Sequence, residues 1–230
     1  MKKISLIISF VVLFALGGNA QVENLRVGLK IGPSMDWAGS GSVATANRGL
    51  GVGLNTGVVL DYYFTDHFAV SSGLNFNLFR MKYDFVDYRR VEDFLEEANV
   101  PVQRKAKGSN LEIPIKFKAK YNVADLFDAY VEAGCALGFN LKDYGRDDFD
   151  FYWTHVRGER YVDCTNQYRA FQPSIVFGVG AEYEINSKFS VFAQLTFDHA
   201  LVNAFAKSLA EQTGSIIRNN YIGFEVGVMH

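Results

Sequence analysis

The chain has 230 residues and a formal net charge of −2, with 23 basic side chains against 25 acidic ones. This balance argues against a nucleic-acid partner, which would call for a basic surface. The 20 Phe, 12 Tyr and 21 Gly, against only 4 Pro and 2 Cys, favour β-structure that meets either water or lipid.

The beginning of the chain has the pattern of a secretory signal peptide. Two lysines precede an apolar run over residues 4–16, and small residues follow at a candidate cleavage site. The apolar run is shorter than the ~20 residues that a transmembrane helix needs. We therefore predict a cleaved signal peptide over residues 1–20 and a single mature domain over residues 21–230.

Downstream, eight segments alternate apolar residues with polar or small ones, which is the period of a β-strand. Each is about as long as a tilted transmembrane strand, which needs ~9–11 residues in the hydrocarbon zone. In the first segment, Leu25, Val27 and Leu29 alternate with Arg26 and Gly28. The segments span residues 24–33, 50–63, 68–80, 109–121, 128–141, 171–184, 188–199 and 219–230.

The polar face of these segments combines glycine with charged residues of both signs. The interior of an eight-stranded barrel barely admits side chains, so glycine between long charged residues would relieve crowding there. On a solvated outer face, repeated glycine would only weaken the strands. We therefore expect the apolar face to meet lipid and the charged face to line the lumen. The predicted lumen charges are Arg26, Lys30, Asp61, Glu112, Lys116, Lys118, Lys120, Glu132, Glu182, Asp198 and Glu225.

The connections between the segments are alternately short and long. Short ones span residues 64–67, 122–127 and 185–187, and long ones span 34–49, 81–108, 142–170 and 200–218. An even strand count with short periplasmic turns and long outer loops is typical of outer-membrane barrels. We predict an all-β fold, an eight-stranded antiparallel transmembrane β-barrel. A soluble lipocalin-like barrel, with its apolar face inward, is the alternative.

The lumen charges permit two interpretations. Five basic groups face six acidic ones, and buried charges are tolerated when they pair. Pairing would fill the narrow lumen, and the near balance of charge favours this interpretation. A path for ions or solutes is the alternative.

The third long connection, residues 142–169, is rich in aspartate and aromatic residues. Aromatics together with arginine are typical of protein interfaces, so we predict a partner surface here, with a self-packed loop or an aromatic girdle as the alternative. Asp147, Asp148 and Asp150 offer oxygen ligands for calcium, but their spacing does not match an EF-hand loop. We therefore predict no metal and no other cofactor. The predicted partner surface is Tyr144, Phe149, Phe151, Tyr152, Trp153 and Tyr161.

The second long connection contains RRVEDFLEEANV, residues 89–100. Its apolar residues Val91, Phe94, Leu95 and Ala98 recur at helical spacing. The pattern predicts a short amphipathic helix that packs over the mouth of the barrel.

An enzyme that modifies lipid at the outer rim is a third class of function. Asp198 and His199 fall near the outer end of the seventh segment, and Ser208 follows in the next loop. No lipase-like or other catalytic signature surrounds them, so we predict no catalytic activity.

The two cysteines fall in different settings, Cys135 inside a predicted strand and Cys164 in a polar loop. Export permits a disulfide, but these positions do not imply one. We expect two free thiols.

Four stretches of the mature chain form an ordered set. They are LEIPIKFKAKY (111–121), AYVEAGCALGFNL (129–141), FGVGAEYEINSKFSVFAQLTFDHALVN (177–203) and RNNYIGFEVGVMH (218–230). Together they resemble the PorT-like outer-membrane β-barrel family common in Bacteroidetes. The resemblance implies a location in the outer membrane of a Gram-negative bacterium and transfers no catalytic residues. One protein that carries the family's name is linked to a protein-secretion apparatus, so the resemblance also suggests a link to protein secretion.

These observations lead to one functional expectation. We expect an outer-membrane barrel with a charge-filled lumen that acts through its outer loops in binding or assembly. Its expected partners are outer-membrane lipid and other envelope proteins. Within LEIPIKFKAKY, Pro114 lacks a ladder donor, which predicts a bulge or local break in the sheet at that point.

Overall fold

The computed structural model describes residues 24–42, 45–90, 97–151, 156–186, 188–207, 210–211 and 214–230, so the predicted signal peptide lies outside the described residues. Its elements are β1 (Leu25–Ser40), β2 (Ala46–Asn47), β3 (Gly51–Tyr63), β4 (Phe68–Arg90), β5 (Glu97–Ala124), β6 (Phe127–Phe151), β7 (Val156–Asp163), a 3₁₀ helix (Thr165–Gln167), β8 (Phe171–Glu184), β9 (Ser190–Ala200) and β10 (Ile217–Met229). Across these ranges, no helix has the length and apolar character to cross a membrane.

Eight of the strands close into an antiparallel ring. β1 pairs with β3 on one side and with β10 on the other. The pairing continues from β10 through β9, β8, β6, β5 and β4 back to β3. β2 pairs with β4 and β7 pairs with β6, both beside the ring. The predicted eight-stranded antiparallel barrel is confirmed, with two short strands added to it.

The wall strands turn apolar side chains outward and polar ones inward. On β5, Ile115 and Phe117 are about half exposed, whereas Lys116 and Lys118 on the other face are buried. Similar alternation on the other wall strands produces a continuous outward apolar belt. An exposed apolar surface of this extent marks contact with lipid. The lipocalin-like alternative, which needs its apolar face inside, is therefore wrong.

The two ends of the barrel differ. At one end, short turns join β3 to β4, β5 to β6, and β8 to β9. At the other end, β4, β5 and β6 continue well beyond the belt, and the ladder between β4 and β5 runs on to Arg90 and Glu97. Short turns identify the periplasmic end, so the extended strands point outward from the cell.

The extended strands replace much of what the sequence predicted to be loop. Residues 81–90, 97–108 and 142–151 are strand, and Arg89 pairs with Ala98 where a helix was predicted. That helix prediction is wrong for these residues, while residues 91–96 lie outside the described part of the chain. The physical reason is that the apolar and polar faces of the strands exchange places beyond the lipid belt. After Leu78, the apolar side chains of Met81 and Tyr83 face inward and Lys82 faces water, as in an ordinary soluble sheet.

The predicted break at Pro114 is present. The ladder between β4 and β5 is interrupted between the pairs Ser72–Ile115 and Asn75–Glu112. Gly73 lies in this gap with a φ of 149°, a conformation that favours glycine. The Ser72 hydroxyl donates to the Pro114 carbonyl oxygen at 2.8 Å, which gives that carbonyl a partner at the gap.

Candidate functional site

The lumen at the periplasmic end is filled by paired charges. Lys118 Nζ donates to Asp61 Oδ2 at 2.7 Å, and both side chains are nearly or fully buried. Glu182, which is also buried, accepts hydrogen bonds from Arg26 and from the Ser190 hydroxyl. These contacts join β1, β3, β5, β8 and β9 across the lumen. The packing follows from the strand parity, which turns the long charged residues of every wall strand toward the same narrow space.

A second layer of paired charges lies in the middle of the lumen. Glu225 is its centre, because Lys30 Nζ donates to Oε2 at 2.9 Å and Gln194 Nε2 donates to the same atom at 2.5 Å. Lys116 forms a buried ion pair with Glu132 across the ladder between β5 and β6. Each of these four charges therefore has a direct partner of the opposite sign.

Not all eleven predicted lumen charges pair with each other. Lys120 pairs with Asp128 at 2.7 Å, a residue absent from the predicted set although it shares the inward parity of Glu132. Glu112 accepts from Asn110 Nδ2 at 3.0 Å, and Asp198 accepts from Ser174 Oγ at 2.6 Å. Neither carboxyl has a basic partner among the described residues. The predicted set thus comprises five ion-paired cations, four carboxylates that pair with them, and two carboxyl groups that are held by hydrogen bonds, while Asp128 supplies the fifth anion.

Above the lumen, a buried ion pair spans the extended strands. Arg104 donates from Nε to Asp147 Oδ1 at 2.6 Å and from Nη2 to Oδ2 at 2.8 Å. Both side chains are fully buried, and the Phe85 ring lies 4.6 Å from the guanidinium carbon. Burial lowers the pKa of Arg104, but the hydrogen bonds with Asp147 together with the charge interactions of Tyr83, Tyr168 and Asp147 outweigh this and raise the pKa above its usual value. Sequence analysis missed this pair because both residues were placed in loops.

An apolar cluster closes the outer mouth around the same ion pair. Phe205, which has no solvent exposure, packs with ring centroids 5.5 Å from Phe85 and 5.9 Å from Tyr83. Tyr168 hydrogen-bonds to Tyr83, and Cys164 is buried in the same cluster. Burial raises the pKa of the Cys164 thiol to about 11, so the thiol stays protonated at neutral pH. Both Cys164 and the outward-facing Cys135 are free thiols.

The predicted partner surface is described only in part. Tyr144 and Tyr161 face outward on β6 and β7, with 40% and 75% of their surfaces exposed. The Arg146 guanidinium lies 5.8 Å from the Tyr161 ring centre. Phe149 and Phe151 belong to β6, but the positions of their side chains are not described. Tyr152 and Trp153 lie outside the described residues. The segment is a paired hairpin rather than the loop that was predicted.

The remaining candidate groups do not assemble into a reactive site. Asp198 and His199 are neighbours on β9 and point to opposite faces of the wall, so they do not form a dyad. Asp147 is held by Arg104, and Asp148 lies 3.3 Å from Lys105. Within the described ranges, no three His, Cys, Asp or Glu residues lie close enough together to hold a metal ion. Ser208 lies outside those ranges.

A family comparison agrees with the architecture. A match to the family described as outer membrane protein beta-barrel domain covers residues 19–206. Among solved structures, Neisserial surface protein A matches with a TM-score of 0.48 and 10% identity, over 90% of this chain and 96% of that one. OprG from Pseudomonas aeruginosa has a TM-score of 0.40 and 11% identity, with 89% and 94% coverage. The N-terminal β-barrel domain of Pseudomonas aeruginosa OprF has a TM-score of 0.39 and 11% identity, with 90% and 98% coverage. Among curated proteins, none matches the chain at a significant level.

Proposed function

The chain belongs to the outer membrane protein beta-barrel domain family, and from that premise we propose that it is a non-conducting, non-enzymatic protein that acts through its outer end in binding or assembly. The observation that carries this proposal is the occupancy of the lumen by paired side chains. Arg26, Lys30, Lys116, Lys118 and Lys120 each contact a carboxylate inside the barrel.

Paired charges are a poor lining for an ion path. A permeating ion would have to break contacts such as Lys30–Glu225 at 2.9 Å and Lys118–Asp61 at 2.7 Å. Breaking a buried ion pair costs about 3–5 kcal/mol, which is a large barrier for each layer. Above these layers, the Arg104–Asp147 pair and the Phe205 cluster add a second obstruction at the outer mouth. The lumen is therefore a structural core that fixes the barrel's shape.

With the lumen filled, the extended outer strands offer the accessible surface. The hairpin of β6 and β7 presents Tyr144 and Tyr161 beside Arg146, and tyrosine with arginine is the composition of binding surfaces. We include the PorT-like subfamily, and with it a link to protein secretion, in this proposal. The four ordered sequence stretches support that narrower assignment.

Cross-linking on intact cells tests the role of the outer surface. The double variant Tyr144→Ser/Tyr161→Ser removes two exposed side chains and no buried contact of the barrel core. Its matched control, Tyr121→Ser/Tyr183→Ser, removes two exposed tyrosines near the periplasmic end. We expect cross-links from the wild type to other envelope proteins to disappear in the first variant and to persist in the control. Equal cross-linking by both variants would contradict a role for this surface.

A further inference from the structure

The outward face of three neighbouring strands changes from apolar to basic at one level of the barrel. On β4, Leu78 is followed on the same face by Arg80 and Lys82, and on β6 Leu141 is followed by Lys142. On β5 the change occurs between Leu111 and the pair Lys107 and Lys105. This level is where the inward face turns apolar, so it marks the outer boundary of the hydrocarbon zone. The basic residues therefore lie at the level of lipid headgroups.

These basic residues are placed against one another. In the ladders, Arg80 lies directly opposite Lys107, Lys82 opposite Lys105, and Lys105 opposite Arg146. Like charges directly opposite on one face destabilise a sheet. Asp148 offsets part of this charge through contacts with Lys105 and Arg146. Among the described residues, no carboxylate forms a direct ion pair with Arg80, Lys82, Lys107 or Lys142. An external anion would relieve the repulsion.

A groove of about 490 Å³ opens on the outward face at the same level. Its lower wall is formed by Val52, Leu54 and Leu78, which belong to the lipid-facing belt. Its upper rim carries three basic residues and the Tyr144 ring, and the Lys142 ammonium lies 4.9 Å from that ring's centre. The rim cations are Arg80, Lys107 and Lys142.

We propose that this groove binds the phosphate-bearing headgroup of an outer-leaflet lipid. Arginine and lysine form strong charge-assisted hydrogen bonds with phosphate oxygens. The apolar wall is continuous with the belt, so acyl chains attached to the headgroup meet the surface that they would contact in the bilayer. A free phosphate or an acidic peptide would leave that wall uncovered. Toward the outer ends of β1 and β9, the outward residues include Trp37 and His199, and Asn220, which pairs with both across the ladders, is buried.

Native mass spectrometry of the purified full chain in neutral detergent tests the proposal. The probes are diphosphoryl lipid A, the same lipid with its phosphates removed, and inorganic phosphate. The test variant is Lys107→Gln/Lys142→Gln, and the control Lys188→Gln/Lys207→Gln removes the same charge from exposed sites elsewhere. Both test substitutions lie on the outward face, so they leave the barrel interior intact and relieve like-charge repulsion.

We expect the wild type and the control to retain diphosphoryl lipid A. The test variant should bind it about 25-fold more weakly, because it lacks two basic residues and each basic residue near a membrane surface contributes about a factor of five. The dephosphorylated lipid should bind the wild type as weakly as the complete lipid binds the test variant. Equal retention by test and control variants would overturn the proposal. It would also be overturned if the dephosphorylated lipid bound the wild type equally well, or if millimolar inorganic phosphate displaced the lipid. The prediction rests on the membrane location and is independent of whether the lumen conducts.

Discussion

The ion pair between Lys30 and Glu225 gives the sharpest prediction about stability. The two charged atoms lie 2.9 Å apart, and the side chains retain only 4% and 1% of their exposure. Glu225 also accepts from Gln194 and Thr196, so it is the centre of the middle layer. Substitution Lys30→Met removes the cation, and Glu225→Gln keeps the side-chain size while removing the anion.

The magnitude follows from the burial of both charges. At 2.9 Å and an effective dielectric constant of about 20, the attraction is about 6 kcal/mol, much of which offsets the cost of desolvation. Removing one partner leaves the other charge buried without its ion-pair partner. We therefore expect each single variant to lower the free energy of unfolding by about 3–5 kcal/mol. The double variant, which leaves no unpaired charge, should lose clearly less than the sum of the two.

Urea unfolding in detergent micelles, followed by tryptophan fluorescence, measures all four proteins of this double-mutant cycle. A coupling energy of about 2 kcal/mol or more is expected for groups in direct contact. A matched control is the exposed pair of Lys207 and Glu211, with side chains 81% and 67% exposed and 3.6 Å apart. Exposed pairs contribute roughly 0.2–1 kcal/mol. Additive losses at Lys30 and Glu225, or losses as small as in the control, would refute the reasoning.

Further predictions concern the outer end, above the lipid belt. Burial raises the pKa of Asp143 to about 6, so its proton is bound more tightly in the folded state. The free energy of unfolding should therefore rise by about 2 kcal/mol as the pH falls from about 7 to about 4. Asp143→Asn should abolish this rise when unfolding is measured across the same pH range. Arg104→Met should cost about 3–5 kcal/mol by removing the bidentate cation that holds the buried Asp147 carboxylate, and a loss below about 1 kcal/mol in the same assay would contradict this. A membrane-permeant maleimide should label Cys135 in the folded protein, whereas Cys164 should react only after unfolding; rapid labelling of both would be inconsistent with the buried thiol.

The wall of the barrel was predictable from the sequence because strand parity is a local property. In the membrane zone, residues such as Ile115 and Lys116 alternate with a period of two, and the apolar face is the lipid face. The extended strands were not recognised, because above Leu78 the apolar residues switch to the inward face. Met81 and Tyr83 then alternate with lysine and aspartate, and the sequence of this segment alone is typical of a polar loop.

Which residues line the lumen was easier to predict than which of them form ion pairs. Which charges meet depends on the stagger of strands around the ring, which a single sequence does not reveal. Lys30 and Glu225 are 195 positions apart, yet they share a layer because β1 pairs with β10. Asp198 and Glu112 have the same inward parity but no basic partner among the described residues. The Arg104–Asp147 pair was not predictable for the same reason, because it forms only where the ladder between β5 and β6 continues beyond the membrane.

Planar-bilayer recording of the purified protein tests the central claim, the filled lumen, most directly. The account predicts no steady conductance at any protein concentration that yields folded barrels, because five cations remain in contact with carboxylates inside the wall. Folding of each sample is checked by its heat-dependent mobility in gel electrophoresis. A reproducible unitary conductance from pure, folded protein would contradict the filled lumen.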